Sequence, residues 1–508
     1  MNFSRVILTL SLTPLFALNA NAQTDSPNEP PSGPGTPLGQ AVANADNNTA
    51  LQVNTGDSVQ KTCIELIPTY GGSRDLNESA EQSLFIHCSE MVGNALNLNG
   101  VPGNGNGLGF SNEQLAEAMQ QLTGEEGVSQ GRLATESSNG QFGNIGMRLD
   151  AIRAGARATA GGLSVVMNGA PVSGGNAGDD GTGWGWFLNG ALGTGDRDAT
   201  NREDEYEYDS YGATLGFDYL FDSGFVAGFA LGYSDYEVDF ETVKSFSPSQ
   251  QLTNTQAGGG FDTDGYALSG YAIGNVGRFY IDGVLSYGQN DYSTERIVRY
   301  TADSDASGTG AGSLVHRSMR GETDSESLTV GASTGTTFDL GGVDLALSLG
   351  VSYLDVSVDG YTEKDRAIGM DTATFSGLNL AYEDQDFDSL QSTVGFQLSK
   401  VFSTSSGVIL PYVKADWRHE FENDSNTLQA RYASQQTGQT FNLNVTTVEP
   451  LDGGEVFRVF IGGDGTERED DPTSGVRPWY MSFTDDDPDN NDVYAFSDRI
   501  ESWYRVDD

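Results

Sequence analysis

Apolar and polar residues alternate strictly along this chain from about Trp184 onward. In residues 211–219, Tyr211, Ala213, Leu215, Phe217 and Tyr219 alternate with Gly212, Thr214, Gly216 and Asp218. The next segment repeats the pattern, with Phe225, Ala227, Phe229, Leu231 and Tyr233 set against Gly228, Gly232 and Ser234. A third copy places Val343, Leu345, Leu347, Leu349, Val351 and Tyr353 against Asp344, Ser348, Gly350 and Ser352. Successive side chains of a strand point to opposite faces, so each segment carries one apolar and one polar face. The segments are roughly ten residues long with aromatics toward their ends, which matches strands that cross an outer membrane.

The connections alternate as well. Short turns fall at 222–224, 275–277, 339–342 and 403–407, and long stretches at 194–205, 237–264, 290–325, 355–388 and 422–450. Tight turns at one end and large loops at the other are the parity of a membrane barrel, and a soluble sandwich has no reason to keep it. The pattern predicts an all-β transmembrane barrel of about twelve antiparallel strands, an even number as such barrels require. A small helical region precedes it.

Residues 1–22 read as a secretory signal peptide: a basic start ending at Arg5, an apolar run and the small-residue site Ala20-Asn21-Ala22. No later segment reaches the ~18 consecutive apolar residues of a membrane helix. The formal net charge is −46, from 72 acidic and 26 basic residues. That balance argues against nucleic acid, whose phosphates need Lys and Arg. It fits solvated acidic loops; divalent cations bound at the loops are the sharper alternative. The runs 204–209 and 485–492 are the candidate cation segments, although neither has the spacing of a calcium loop.

The first third of the chain has a different texture. Residues 23–55 are rich in Pro, Ser, Gly and other polar residues and read as a flexible linker. In 56–125, Val59, Cys63 and Ile67 recur at helical spacing, as do Ala80, Leu84 and Cys88, with Asn77 a candidate N-cap. Cys63 and Cys88 are the only cysteines of a secreted chain, so a disulfide stapling a helical hairpin is expected. Ser111 and Gln114 form a capping box that opens a helix through Leu122. Residues 126–160 read as a linker helix, clearest over 141–157, with Ile145, Leu149 and Ile152 on one face. A Gly-rich connection, 161–182, leads to the strands of 183–508. Arg148, Arg153 and Arg157 form a basic cluster on the linker helix of a very acidic chain. An ordinary solvated face would carry such residues too.

Residues 411–421, with Pro411, Tyr412, Trp417, His419, Glu420 and Phe421, resemble a P-Y…W-x-H-E-F strand of the autotransporter (type V secretion) β-domain family, small-passenger type. Residues 279–288 resemble a second strand of that family, and 129–135 leading into 144–155 the region ahead of its barrel. The resemblance implies a twelve-stranded barrel with the linker helix threaded through its pore and the N-terminal region displayed at the cell surface. It implies outer-membrane lipid and the barrel-assembly machinery as partners, and a single chain as the working unit. On the alternation, Asp218, Asp282 and Asp344 face the lumen, where Arg148, Arg153 and Arg157 of a threaded helix would offset their repulsion. The family usually ends on an aromatic residue. Here residues 493–506 read as the last strand, with Tyr494, Phe496, Ile500 and Tyr504 on one face, and the chain runs on to Asp508.

Catalytic chemistry is not indicated, and neither a cofactor nor a metal is called for. Gly331, Ser333 and Gly335 match G-x-S-x-G, but in mid-strand rather than at the strand–turn–helix a nucleophile elbow requires. His87 reads as a surface residue, His316 as a loop residue and His419 as structural. Other readings are an outer-membrane pore with a periplasmic N-terminal segment, and an adhesin that binds through its loops.

Overall fold

The structure is a computed structural model. It describes residues 35–46, 48–70, 79–101, 108–124, 126–153, 162–167, 170–176, 183–197, 206–240, 242–247, 250–301, 314–369, 371, 373–400, 402–404, 407–421, 428–435, 441–443, 455–465, 481–485, 493–497 and 502–506. The signal-peptide expectation, 1–22, lies outside them.

Helices come first: α1 (Pro37–Ala43), α2 (Ala50–Tyr70), α3 (Ala80–Leu98), α4 (Asn112–Thr123) and α5 (Glu126–Arg153). None is long and apolar enough to cross a membrane. The linker expected over 23–55 is corrected from residue 35 onward. Thr36 caps α1 by accepting from the Gly39 N–H at 3.1 Å, and Pro37 takes the first turn, where a missing N–H costs nothing. Leu38, Ala41 and Val42 then lie at helical spacing and are fully buried. Asp57 of α2 ties the start of α1 down, accepting from the Thr36 N–H at 2.9 Å and its hydroxyl at 2.6 Å. Proline and glycine marked a helix start here rather than a tether. Ser79 caps α3, whereas Asn77 lies outside the described residues. The Ser111–Gln114 capping box opens α4, and Gly124 ends it in the left-handed conformation, φ 68°. Cys63 and Cys88 are disulfide-bonded across α2 and α3 with Cα atoms 5.7 Å apart. Helix α5 starts at Glu126, where the linker helix is expected to start, and its periodicity is clear only from 141 because its first turns carry few apolar residues.

The sheet is a ladder of antiparallel neighbours: β1 (Trp184–Arg197), β2 (Tyr206–Leu220), β3 (Val226–Phe240), β4 (Gly259–Val276), β5 (Phe279–Thr301), β6 (Leu314–Asp339), β7 (Asp344–Val358), β8 (Gln385–Ser399), β9 (Gly407–Glu420) and β10 (Glu455–Gly465). It continues through Met481–Asp485, Val493–Ser497 and Ser502–Val506. Among the described residues the sheet does not close, so it fixes no strand count to set beside the expected twelve. Residues 493–506, read as one strand, form a hairpin of two short ones. The connection read over 161–182 also holds a hairpin, Gly162–Met167 with Ala170–Asn176, whose first strand runs parallel to β1.

Register keeps each face uniform. Leu215, Leu231, Leu268, Tyr287 and Leu328 are opposite neighbours across β2 to β6, and each is more than two-fifths exposed. With Trp186, Phe229, Ile281, Leu349 and Phe396 they make an apolar band too extensive for a water-exposed surface. The opposite face is polar and buried: Thr214, Asp218, Ser269, Asp282 and Ser286 are each at most 6% exposed. Just past the band, Asp235, Asp264, Asp291 and Asp324 stand opposite one another on β3 to β6.

The largest departure from the sequence reading is the stretch 290–325, expected as loop. β5 and β6 run through much of it, paired from Asp291–Asp324 to Thr301–Leu314. There the buried face turns apolar, with Val298, Tyr300, Val315 and Met319 packed under α1–α4. The apolar alternation passes to the other face, so a reading keyed to a lipid-facing stripe loses the strand. Among the described residues the short turns at 222–224, 275–277 and 339–342 stand, with Gly224, Gly277, Gly341 and Gly342 at positive φ.

Replacing Cys63 and Cys88 with serine should cost α1–α4 about 3 kcal/mol on the chain-entropy account. Faster amide exchange in α2 and α3, with exchange in β2–β7 unchanged, is the expected readout.

Candidate functional site

Helix α5 lies against the polar face of the sheet, and its residues bond at successive levels. Near its middle, the Ser137 hydroxyl is 2.8 Å from that of Ser234. Gln141 accepts from the Thr214 hydroxyl at 2.7 Å and donates to Ser269 at 3.3 Å. Asn144 donates to the same Thr214 oxygen at 2.9 Å, while Asn189 donates to the Asn144 carbonyl at 2.9 Å. Ile145 and Leu149 fill the spaces between these bonds, packed with Phe187, Ala230, Tyr271 and Val284. Small residues make the approach possible. A Cβ on Gly232 would lie 2.1 Å from the Gln141 side-chain oxygen, and one on Gly331 would lie 2.4 Å from the Phe142 ring.

Two arginines follow toward the short-turn end. Arg148 grips Asp218 with both arms, Nε to Oδ2 at 2.7 Å and Nη2 to Oδ1 at 3.0 Å. The Tyr271 hydroxyl donates to the same carboxylate at 2.9 Å, and the Phe187 ring centroid lies 5.6 Å from the guanidinium carbon. The Arg148 and Asp218 side chains are 3% and 0% exposed. Taking both charges out of water is costly, so a two-armed pair with a third donor is the geometry that can hold them there. One turn and a half further on, Arg153 bonds Asp282 and Asp150, lies over the Tyr280 ring at 4.3 Å and donates to Ser333 at 3.2 Å. Ser333 donates to Asp282 at 2.9 Å. This is the serine of the G-x-S-x-G match, held in mid-strand by a carboxylate and an arginine.

Arg157 lies outside the described residues. Asp344 opens β7 at the short-turn end, half-buried and opposite Asp339. Among the described residues it forms no ion pair with Arg148 or Arg153. Pro411, Trp417, His419, Glu420 and Phe421 lie on β9 or at its end, with Trp417 and Phe421 exposed on the apolar band. The His419 ring sits between them, with centroids 5.9 and 4.6 Å away. The candidate cation run at 485–492 falls outside the described residues except for Asp485. Sequence reasoning misses Ser269, Tyr271, Gln141 and Asn144; it meets Thr214 only as part of a polar face and Ser333 only in the G-x-S-x-G match. The signal was present, since Gln141, Asn144 and Arg148 recur at helical spacing on one face.

A family model described as Autotransporter beta-domain matches residues 186–453, more than half of the chain. The chain belongs to the autotransporter beta-domain family. Such barrels sit in the outer membrane and are assembled there by the barrel-assembly machinery. Among solved structures, the translocator domain of autotransporter NalP from Neisseria meningitidis is 16% identical, over 70% of this chain and 92% of that one, with a TM-score of 0.39. The transport unit of the autotransporter AIDA-I from Escherichia coli is 14% identical, over 59% and 84%, with a TM-score of 0.29. The beta domain of the Bordetella autotransporter BrkA is also 14% identical, over 63% and 92%, with a TM-score of 0.29. A comparison with curated proteins finds no match.

At the long-loop end of this autotransporter sheet, α1–α4 meet the strands through a second set of buried charges. Arg296 of β5 pairs with Glu363, Nε to Oε1 at 3.0 Å, and donates through Nη1 to the Gln121 carbonyl in the last turn of α4 at 2.8 Å. A cation at a helix C-terminus complements the helix dipole. Glu363 also accepts from the Leu380 N–H at 2.7 Å and the Tyr382 hydroxyl at 3.2 Å. Arg317 pairs with Asp371 at 3.0 Å and Asp365 at 3.3 Å. His87 is buried, not on the surface as expected, because its face of α3 is turned onto Tyr300, whose hydroxyl lies 3.5 Å from Nδ1. Burial, and then the positive charge of Arg317, pushes the His87 imidazole down to about 4. His316 lies on β6 and is buried too, rather than in a loop.

Arg148→Met should destabilise the folded barrel by about 3–5 kcal/mol, since it strands the buried Asp218 carboxylate. Adding Asp218→Asn should recover much of that loss, as thermal unfolding in detergent would register. The depressed His87 pKa makes the neutral imidazole the folded form, so stability is complete above about pH 6.5 and falls as pH drops toward 4. The loss reaches at most ~3 kcal/mol. Proteolysis of α1–α4 should therefore accelerate between pH 7 and pH 4.5, and His87→Phe should flatten that dependence.

Proposed function

We propose that this autotransporter carries its own N-terminal helical region, α1–α4, to the cell surface, keeps it there, and fills its pore with α5. The observation that carries the reading is the direction of α5. Its residues meet Ser234 on the loop side of β3, then Asp218, and then Asp282 close to the short turn before β5. The helix that precedes it, α4, is bonded at the long-loop end, to Arg296. In membrane barrels of this kind the short turns are periplasmic and the long loops external, so this polarity supports an external α1–α4. The activity of the displayed region is a separate matter from that of the barrel, whose family is generally non-enzymatic.

The direct test is antibody labelling of α2–α3 on intact cells, with permeabilised cells as the control. Labelling of intact cells is expected. Labelling only after permeabilisation would leave a pore with a periplasmic N-terminal segment. For the plug, changing Arg148 and Arg153 together to glutamate should raise single-channel conductance severalfold or lower the unfolding temperature of the barrel. A double variant with neither change would remove α5 as the pore filling.

A further inference from the structure

The apolar core of α1–α4 is not completed by those helices. Leu84 and Met91 of α3 and Met119 of α4 share one continuous cluster with Tyr300 of β5, Met319 of β6 and Tyr432 from the connection between β9 and β10. Each of these is at most 1% exposed. The Tyr300 ring stands edge-on to both His87 and Phe110, with centroids 6.5 and 5.9 Å away. Arg296 spends one arm on the last turn of α4, and the Arg299 N–H donates to the Gln121 side chain at 2.8 Å. The Tyr382 hydroxyl lies 3.3 Å from the Gly124 carbonyl. At Gly377, whose φ is 70°, a Cβ would stand 2.1 Å from the Ala80 carbonyl oxygen. The backbone between β7 and β8 therefore touches the first turn of α3.

An independently folded domain on a tether would have a closed core and would present polar surface to its carrier. Here the helical region presents His87 and Phe110 to Tyr300 and Leu84 to Gly377, and burying apolar surface is the main favourable term in folding. The far ends of β5 and β6 answer with apolar side chains on the one face where these strands are otherwise polar. We propose that the ends of β5 and β6, with the connections beside them, are a receptor for α1–α4 of the same chain. On this account α1–α4 are a resident cap that folds on the strand ends and stays bound by non-covalent contact once its backbone link to α5 is cut. The inference deepens the display reading and rests on it only for which side of the membrane the cap occupies.

The test uses the full chain in detergent, with a site-specific protease sequence inserted after Gly124. After cutting, the α1–α4 fragment is expected to co-elute with the barrel on gel filtration and to keep the slow amide exchange of α3. A fragment that elutes alone would overturn the proposal. Gly377→Val, made without the insertion, gives a second reading. It should speed exchange in α3 at least tenfold and leave α5 unchanged, and unaltered exchange in α3 would equally overturn the proposal. Failure of export is distinguishable from failure of the cap: it would appear as unlabelled intact cells with the cut fragment still co-eluting.

Discussion

A carboxylate removed from water has to be matched by something, and two matched carboxylates order this molecule. Asp218 and Asp282 lie on the polar face of β2 and β5, where neither water nor lipid can serve them. Arg148 and Arg153 of α5 answer both, and their separation along the helix suits the separation of the two carboxylates. A slip of α5 by a single residue would rotate Arg148 away from Asp218 and leave both charges buried and alone, at a cost of several kcal/mol. The pairs thus act as a register mark more than as a source of net stability, because hydrophobic residues of similar volume could pack there at no greater expense. Once α5 is fixed in depth and direction, the end from which α4 departs is fixed with it.

The strands solve two environments with one alternation. Along β5, Ile281, Leu285 and Tyr287 turn apolar side chains outward while Asp282 and Ser286 turn polar ones inward. Beyond Asp291 the assignment inverts, with Ser293 and Glu295 outward and Val298 and Tyr300 inward. The inversion needs neither a bulge nor a break in the ladder, because the period of two is unchanged and only the chemistry assigned to each face has switched. The row from Asp235 to Asp324 marks the changeover. Like charges directly opposite on paired strands are unfavourable. Hydrogen bonding to Asp291 accordingly pushes the Asp324 carboxyl upward.

What could be read from the sequence follows from how local each signal is. Alternation over 211–219 or 343–353 needs no partner to be recognised, and neither does the capping box at Ser111 and Gln114. Two cysteines in a chain admit one pairing. Helix α1 escapes a local reading because Thr36-Pro37 is ambiguous between a turn and a helix start until Asp57 supplies its bonds. The far ends of β5 and β6 escape a local reading because their apolar face beyond Asp291 is matched by helices some two hundred positions earlier, and no local window contains both. The burial of His87 is invisible locally for the same reason: its ring packs against Tyr300. The arginines of α5 were visible as a cluster and their carboxylates as a face. Tyr271, which completes the first site, is indistinguishable in sequence from any other strand tyrosine, and the motif around Ser333 points to a chemistry other than its bonds to Asp282 and Arg153.

The bond between Tyr382 and Gly124 spans 258 positions, and the contact between Tyr300 and His87 spans 213. Chain order and assembly order therefore run opposite ways. Residues 35–124 are the first described part of the chain to be synthesised, yet the side chains that close their core lie on strands and connections made far later. Contacts of such separation form late, since the loop entropy must be met before they yield anything. Until β5 stands in place, the helical region has an open seam along His87 and Phe110. The N-terminal region is thus written first and finished last.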